Sequence, residues 1–212
     1  MRVSCAGRAA LAALQSGPAT VFASFERSCY VETPSGIACL GVDIGLGPLN
    51  AIVEGFAVPS IGSVVAPEFA FASVWIPPKA KAIEFEIPSA VQEHSRFFLK
   101  YRPEELVGLG PGLTPAGDDY LGGQMIALRA FGRAEEAEHM AAWVLPLARE
   151  RTSRISRAHL ECAAAGEGHE ALHELLANLG DVQAVERSLE RLSRIGHSSG
   201  MDAAAGALLA LR

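Results

Sequence analysis

The chain has 212 residues, 50% of them apolar, 20% charged and 7% aromatic. That length and apolar content can fill the core of one large domain or two small ones, and they exclude a disordered protein. The net charge is −6, from 18 basic and 24 acidic residues, of which 11 and 16 lie beyond Lys100. The second half is therefore acidic, and no basic patch suits a nucleic-acid groove.

The first residues, Arg2 to Leu14, are rich in Ala and Leu, but Arg8 splits them and no long apolar run follows. A secretory signal needs an uninterrupted apolar stretch and a small-residue cleavage site, so none is expected here. Nowhere do about 18 apolar residues run without charge or clustered glycines, so no membrane span is expected. Cys5, Cys29, Cys39 and Cys162 make no C-x-x-C pair and no metal-finger spacing. They read as buried thiols of a protein in the reducing cytoplasm.

Up to about Pro88 the chain is rich in Val, Ile and Phe in short runs cut by Pro and Gly. Ala19 to Ser28, Gly36 to Val42, Asn50 to Phe56, Ala70 to Ile76 and Ala82 to Ile87 read as strands. Turns are marked by Thr33-Pro34-Ser35-Gly36, Gly45-Leu46-Gly47-Pro48 and Pro77-Pro78. Closely spaced strands without helices between them favour an antiparallel sheet or small barrel. From Ser89 the composition shifts to Ala, Leu, Glu and Arg at helical spacing. This pattern predicts helices at about 90–99, 115–131, 134–148, 151–165, 169–179, 181–194 and 199–211. The expectation is an α+β protein: a β-rich part over residues 1–88, then a helical bundle over 89–212.

The most informative stretch is Gly108-Leu109-Gly110-Pro111-Gly112-Leu113-Thr114-Pro115-Ala116-Gly117-Asp118-Asp119. A loop of special backbone angles ends in a hydroxyl and a proline, the order expected at a helix start. Backbone N–H groups at such a start, with the helix dipole, favour an anion. A plainer reading is a Gly/Pro turn that feeds a capped helix, with Asp118 and Asp119 complementing the dipole. That reading leaves Gly117 unexplained, because a glycine in the first turn costs about 1 kcal/mol relative to Ala. Close approach of a ligand or of another backbone would explain it.

A second helix start, Ile195-Gly196-His197-Ser198-Ser199-Gly200-Met201-Asp202, resembles the first. With Asp119 set on Asp202, Gly123 falls on Gly206, Gly117 on Gly200 and Arg129 on Arg212. A glycine four residues after each Asp lies on the same helical face, one turn on. Small residues there would let the two helices cross closely and bring both starts and both carboxylates together.

The run Gly-Leu-Gly-Pro-Gly-Leu-Thr-Pro-Ala-Gly-Asp-Asp resembles the signature of the AllH-type family, described as the AllH subunit of bacterial oxamate carbamoyltransferase. Arg151-Thr152-Ser153-Arg154-Ile155-Ser156, Ala164-Ala165-Gly166 and Gly196 to Asp202 are similar to its later blocks, in the same order. Gly47-Pro48-Leu49-Asn50 resembles a weaker N-terminal block. The resemblance runs from about residue 105 to the end. It implies a role in purine-ureide catabolism, in which a carbamoyl group moves between an oxamic acid and phosphate. It also implies other subunits, and phosphate, oxamate or carbamoyl phosphate as the small anionic partner.

That chemistry needs anion sites and stabilisation of charge on the carbamoyl oxygen. The candidates for binding are Gly110, Gly112, Thr114 and Gly117 in the first loop, and Ser198, Ser199 and Gly200 in the second. Thr152 and Ser156, at i and i+4, would line the same pocket or remain surface hydroxyls. Asp118, Asp119 and His197 are the candidates for catalysis. Asp118, Asp119 and Asp202 would hold Mg²⁺, since hard cations take oxygen ligands. Adjacent Asp118 and Asp119 point about 100° apart, so only one of them need face the site. No nucleotide or organic cofactor is evident.

Two alternatives stand beside the transferase. One is a non-catalytic or regulatory partner that binds a small carboxylate. The other is a zinc hydrolase, because His169-Glu170-Ala171-Leu172-His173 fits the H-E-x-x-H pattern. Glycines precede that match and Glu174 follows it, and short helical patterns of this kind recur by chance.

Overall fold

The computed structural model describes residues 1–69, 72–81 and 84–212. The chain divides into two compact units, Met1–Ile76 and Pro77–Arg212. The fold class is α+β, as the composition shift near residue 90 predicts.

The first unit is built on a seven-stranded sheet: β1 (Arg2–Gly7), β2 (Ala19–Ser24), β3 (Ser28–Thr33), β4 (Gly36–Gly41), β5 (Asn50–Glu54), β6 (Val64–Val65) and β7 (Ser73–Trp75). Their spatial order is β6-β2-β3-β4-β5-β1-β7. The sheet is mixed and open rather than purely antiparallel or closed into a barrel: β4 pairs parallel with β5, and β1 parallel with β7. A parallel neighbour needs a crossover. The segment 42–49 makes one without a helix, using left-handed backbone at Asp43 (φ 52°) and Gly45 (φ 68°). Hydrophobic period carries no signal for such a loop. Helix α1 (Arg8–Gln15) contributes Ala10, Ala13 and Leu14 to a core with Val3, Val21, Val31, Leu40 and Val53 from the strands. Of the strand expected at 70–76, Ala70 and Phe71 lie outside the described residues. So do Ala82 and Ile83 of the strand expected at 82–87, and residues 84–87 belong to no strand.

The second unit is helical. It contains α2 (Ser89–Ser95), a 3₁₀ turn (Phe98–Lys100), α3 (Pro103–Leu106), α4 (Ala116–Ala130) and α5 (Ala134–Arg151). The chain continues through α6 (Arg154–Ala164), α7 (Glu170–Ala177), α8 (Val182–Leu192) and α9 (Ser199–Leu209). Helix α4 is buried nearly all round, with Tyr120, Leu121, Met125, Ile126, Ala127 and Leu128 inaccessible. A helix apolar on every face belongs in the centre of a bundle. It packs against α9, α5, α6 and α7. The expected helix at 90–99 breaks after Ser95, and Phe98 of the 3₁₀ turn stacks on Tyr120 with ring centroids 4.3 Å apart. Among the described residues no helix is long and apolar enough to cross a membrane.

Candidate functional site

Helices α4 and α9 cross at their aligned glycines, and the contact is reciprocal. A Cβ on Gly123 would lie 2.0 Å from the carbonyl oxygen of Ala203, and one on Gly206 would lie 1.9 Å from that of Tyr120. Tyr120 and Ala203 are the residues after Asp119 and Asp202, so each helix offers the same glycine and the same carbonyl to the other. The loops that feed the two helices repeat one another as well. Leu109 N–H donates to the carbonyl of Leu106, and Gly117 N–H to that of Leu109, both at 2.9 Å. Ile195 N–H donates to Leu192 at 3.0 Å, and Gly200 N–H to Ile195 at 3.3 Å. Gly117 and Gly200 make room for neighbouring backbone: a Cβ on Gly117 would meet the oxygen of Leu106 at 1.9 Å, and one on Gly200 that of Leu192 at 2.1 Å.

This duplicated packing brings the two helix starts together. Thr114 Oγ1 and Ser199 Oγ share a hydrogen bond of 3.0 Å. Beneath them lie Asp119 and Asp202, and the Oδ2 of each is buried without a hydrogen-bond partner. Burial pushes the Asp119 carboxyl well above the usual carboxylate range, and the charges of Asp202 and Asp118 push the same way. The hydroxyls of Ser199 and Thr114 oppose that shift. The other Asp202 oxygen, Oδ1, is 2.6 Å from His94 Nε2 on α2. Sequence reasoning missed His94. It is 108 residues from Asp202, and no spacing pattern links the two.

Asp118 is turned away from this pair. Its Oδ1 accepts the Gly108 N–H at 2.7 Å, and its Oδ2 accepts the hydroxyls of Ser156, at 2.6 Å, and of Thr152. Those donors fill the carboxylate, and they tie the glycine-rich loop to the α5–α6 junction. Thr152 and Ser156 thus serve Asp118. Among the described residues, no group of three or more His, Cys, Asp and Glu side chains could hold a metal ion. The three carboxylates expected to share Mg²⁺ are accordingly not gathered into one ligand set.

The anion-binding expectation also meets occupied donors. Asp118 N–H and Asp119 N–H donate to the carbonyl of Pro115 at 2.9 and 3.1 Å, and Asp202 N–H to Ser198 at 2.9 Å. Gly110 and Gly112 are exposed, with φ of 114° and 98°, in the turn before α4. His197 is exposed in the turn before α9, outside the hydrogen-bonded set around Asp119 and Asp202.

The H-E-x-x-H match is occupied by local structure. His169 caps α7 by accepting the Ala171 N–H at 3.1 Å, and His173 Nε2 accepts the Gly168 N–H at 3.0 Å. Glu170 pairs with Arg191 at 2.8 Å. Both imidazoles thus serve the turn that starts α7.

The helical unit is defined by a repeated glycine-rich helix start with an aspartate behind each copy. A family model described as oxamate carbamoyltransferase subunit AllH matches residues 106–211, which spans both copies, and the chain belongs to that family. No solved structure matches the chain.

Proposed function

We propose that this chain is a working subunit of an oxamate carbamoyltransferase and that its reaction centre is the Asp119–Asp202 pair. One observation carries the reading. Two equivalent aspartates, each with a buried oxygen that has no partner, meet under two hydroxyls inside the family-matching segment. An unpaired buried carboxylate oxygen is costly, and structures retain such strain where it serves chemistry.

The reaction moves a carbamoyl group between an oxamic acid and phosphate. A phosphate oxygen attacks the carbamoyl carbon, the bond from that carbon to the oxamic nitrogen breaks, and the nitrogen takes up a proton. Run backwards, carbamoyl phosphate and oxamate are consumed. Asp119 and Asp202 accept the N–H groups of the carbamoyl and oxamic amides and orient the carbamoyl carbon for attack on its face. The Thr114–Ser199 pair holds one hydroxyl proton in its mutual bond and turns the other to the carbonyl oxygen on which charge develops. The exposed turn at Gly110 and Gly112 and the Ser198 turn meet the phosphate and carboxylate groups. The place of the protein is then in purine-ureide breakdown, assembled with the other subunits of the enzyme in the cytoplasm.

The test is oxamate-dependent release of phosphate from carbamoyl phosphate, measured for the chain alone and for the chain co-expressed with its companion subunits. Release in the assembly supports the reading. Release that continues when this chain is left out would assign the chemistry elsewhere and leave this chain a non-catalytic partner.

A further inference from the structure

We infer that His94 is the acid–base residue of this site: its imidazole exchanges the proton of the oxamic nitrogen, and Asp202 orients it. The inference rests on the carbamoyl-transfer reading and adds a residue from outside the segment that the family model matches, which begins at 106.

The geometry is that of an oriented histidine. His94 Nε2 is 2.6 Å from Asp202 Oδ1, and the Asp202 side chain is 3% exposed while that of His94 is 32% exposed. A carboxylate only accepts hydrogen bonds, so Nε2 carries the hydrogen and Nδ1 is left to exchange a proton. The buried partner fixes the ring, and the exposed part of the ring gives a substrate access to it. A second contact holds the ring in place. His94 lies against Phe98 with centroids 6.0 Å apart, and Phe98 stacks on Tyr120, the residue after Asp119. The same aromatic ladder thus fixes α2 to the helix that carries the other aspartate of the pair.

The proton balance is complete. When hydrogen phosphate displaces the oxamic acid, its attacking oxygen gives its proton to Nδ1, the C–N bond breaks, and the departing nitrogen takes that proton from Nδ1 of the imidazolium so formed. In reverse, Nδ1 removes a proton from the oxamate nitrogen as that nitrogen attacks the carbamoyl carbon of carbamoyl phosphate, the C–O bond to phosphate breaks, and the leaving phosphate oxygen takes the proton from Nδ1. A positioned imidazole contributes about 10²–10⁴-fold to such a step.

The experiment compares carbamoyl transfer by the assembled enzyme carrying His94→Gln, His94→Ala or Asp202→Asn. Gln offers Asp202 an N–H in place of the imidazole but cannot shuttle a proton, so it separates support of Asp202 from catalysis. The expectation for His94→Gln is turnover lower by about 100-fold or more, with KM for oxamate and melting temperature close to wild type. His94→Ala should also lose turnover and regain part of it with added imidazole, because the site is partly open. Asp202→Asn should lose turnover without that rescue. His94→Gln at the wild-type rate would overturn the inference while the transferase reading stands, and so would His94→Ala that imidazole fails to restore. A wild-type assembly that transfers no carbamoyl group overturns both.

Discussion

Gly123 faces the carbonyl oxygen of Ala203 with no room for a methyl group between them: a Cβ would stand 2.0 Å from that oxygen. The equivalent relation between Gly206 and Tyr120 makes the crossing of α4 and α9 a local two-fold, with Asp119 and Asp202 as symmetric partners. Gly123→Ala and Gly206→Ala should each destabilise the fold by about 2 kcal/mol or more, because overpacking against backbone cannot relax by a rotamer change. Gly122→Ala is the control. Its Cβ would meet Ala163 at 3.6 Å, an ordinary contact, so removing a helical glycine should be neutral or add up to about 1 kcal/mol. Urea denaturation of the three variants checks this. Equal behaviour at 122 and 123 would refute the packing account.

Asp118 should matter to stability rather than to chemistry. Asp118→Ala leaves the Gly108 N–H and the hydroxyls of Ser156 and Thr152 without their acceptor, at a cost of about 3 kcal/mol. Thr152→Val, which removes one donor, should cost about 1 kcal/mol. Turnover per folded molecule should fall far less for Thr152→Val than for variants at Asp119.

Asp119 and His173 should give opposite pH dependences of stability. Burial raises the Asp119 carboxyl, so the folded state binds its proton more tightly than the unfolded chain does. The stability linked to that proton is fully present below the unfolded value of about 4 and is lost as pH rises through the folded one. Asp119→Asn removes this loss, so the variant should be more stable than wild type at pH 7–8, and the gap should close below about pH 4. Chemical denaturation across that range measures it.

The His173 imidazole is pushed down to about 4, chiefly by burial and then by His169. The folded state therefore holds it neutral. Its contribution is present above the unfolded value of about 6.5 and is lost as pH falls toward the folded one. Melting curves should show acid destabilisation between about pH 6.5 and 4, less steep in His173→Gln. A zinc-loaded H-E-x-x-H site would instead show melting that zinc raises.

How much of this was legible in the sequence follows the range of each interaction. The Asp-x-x-x-Gly spacing in α4 and α9 is local and repeated, so the close crossing and the meeting of the helix starts are readable from it. That Gly117 exists for a neighbouring backbone was also open to reading, but the alternatives, ligand or carbonyl, differ only by where Leu106 lies. The division of labour between Asp118 and Asp119 was not legible. Helical geometry separates the two carboxyls by about 100°, yet only the fold shows that Thr152 and Ser156 arrive on the Asp118 side. His94 reaches Asp202 from 108 residues away in the chain, and nothing near it in sequence marks it. In the first unit, β1 and α1 merged into one Ala-rich stretch, and the parallel pairs depend on where loops return, which periodicity does not encode.

The central claim is that Asp119 orients the reacting amides while its neighbour Asp118 holds the loop, and one comparison tests it most directly. Transfer from carbamoyl phosphate to oxamate should be measured for the assembled enzyme with Asp119→Asn, alongside its melting temperature. The account predicts turnover lower by about 100-fold or more in a protein at least as stable as wild type at neutral pH. Turnover near the wild-type rate in that folded variant would contradict it.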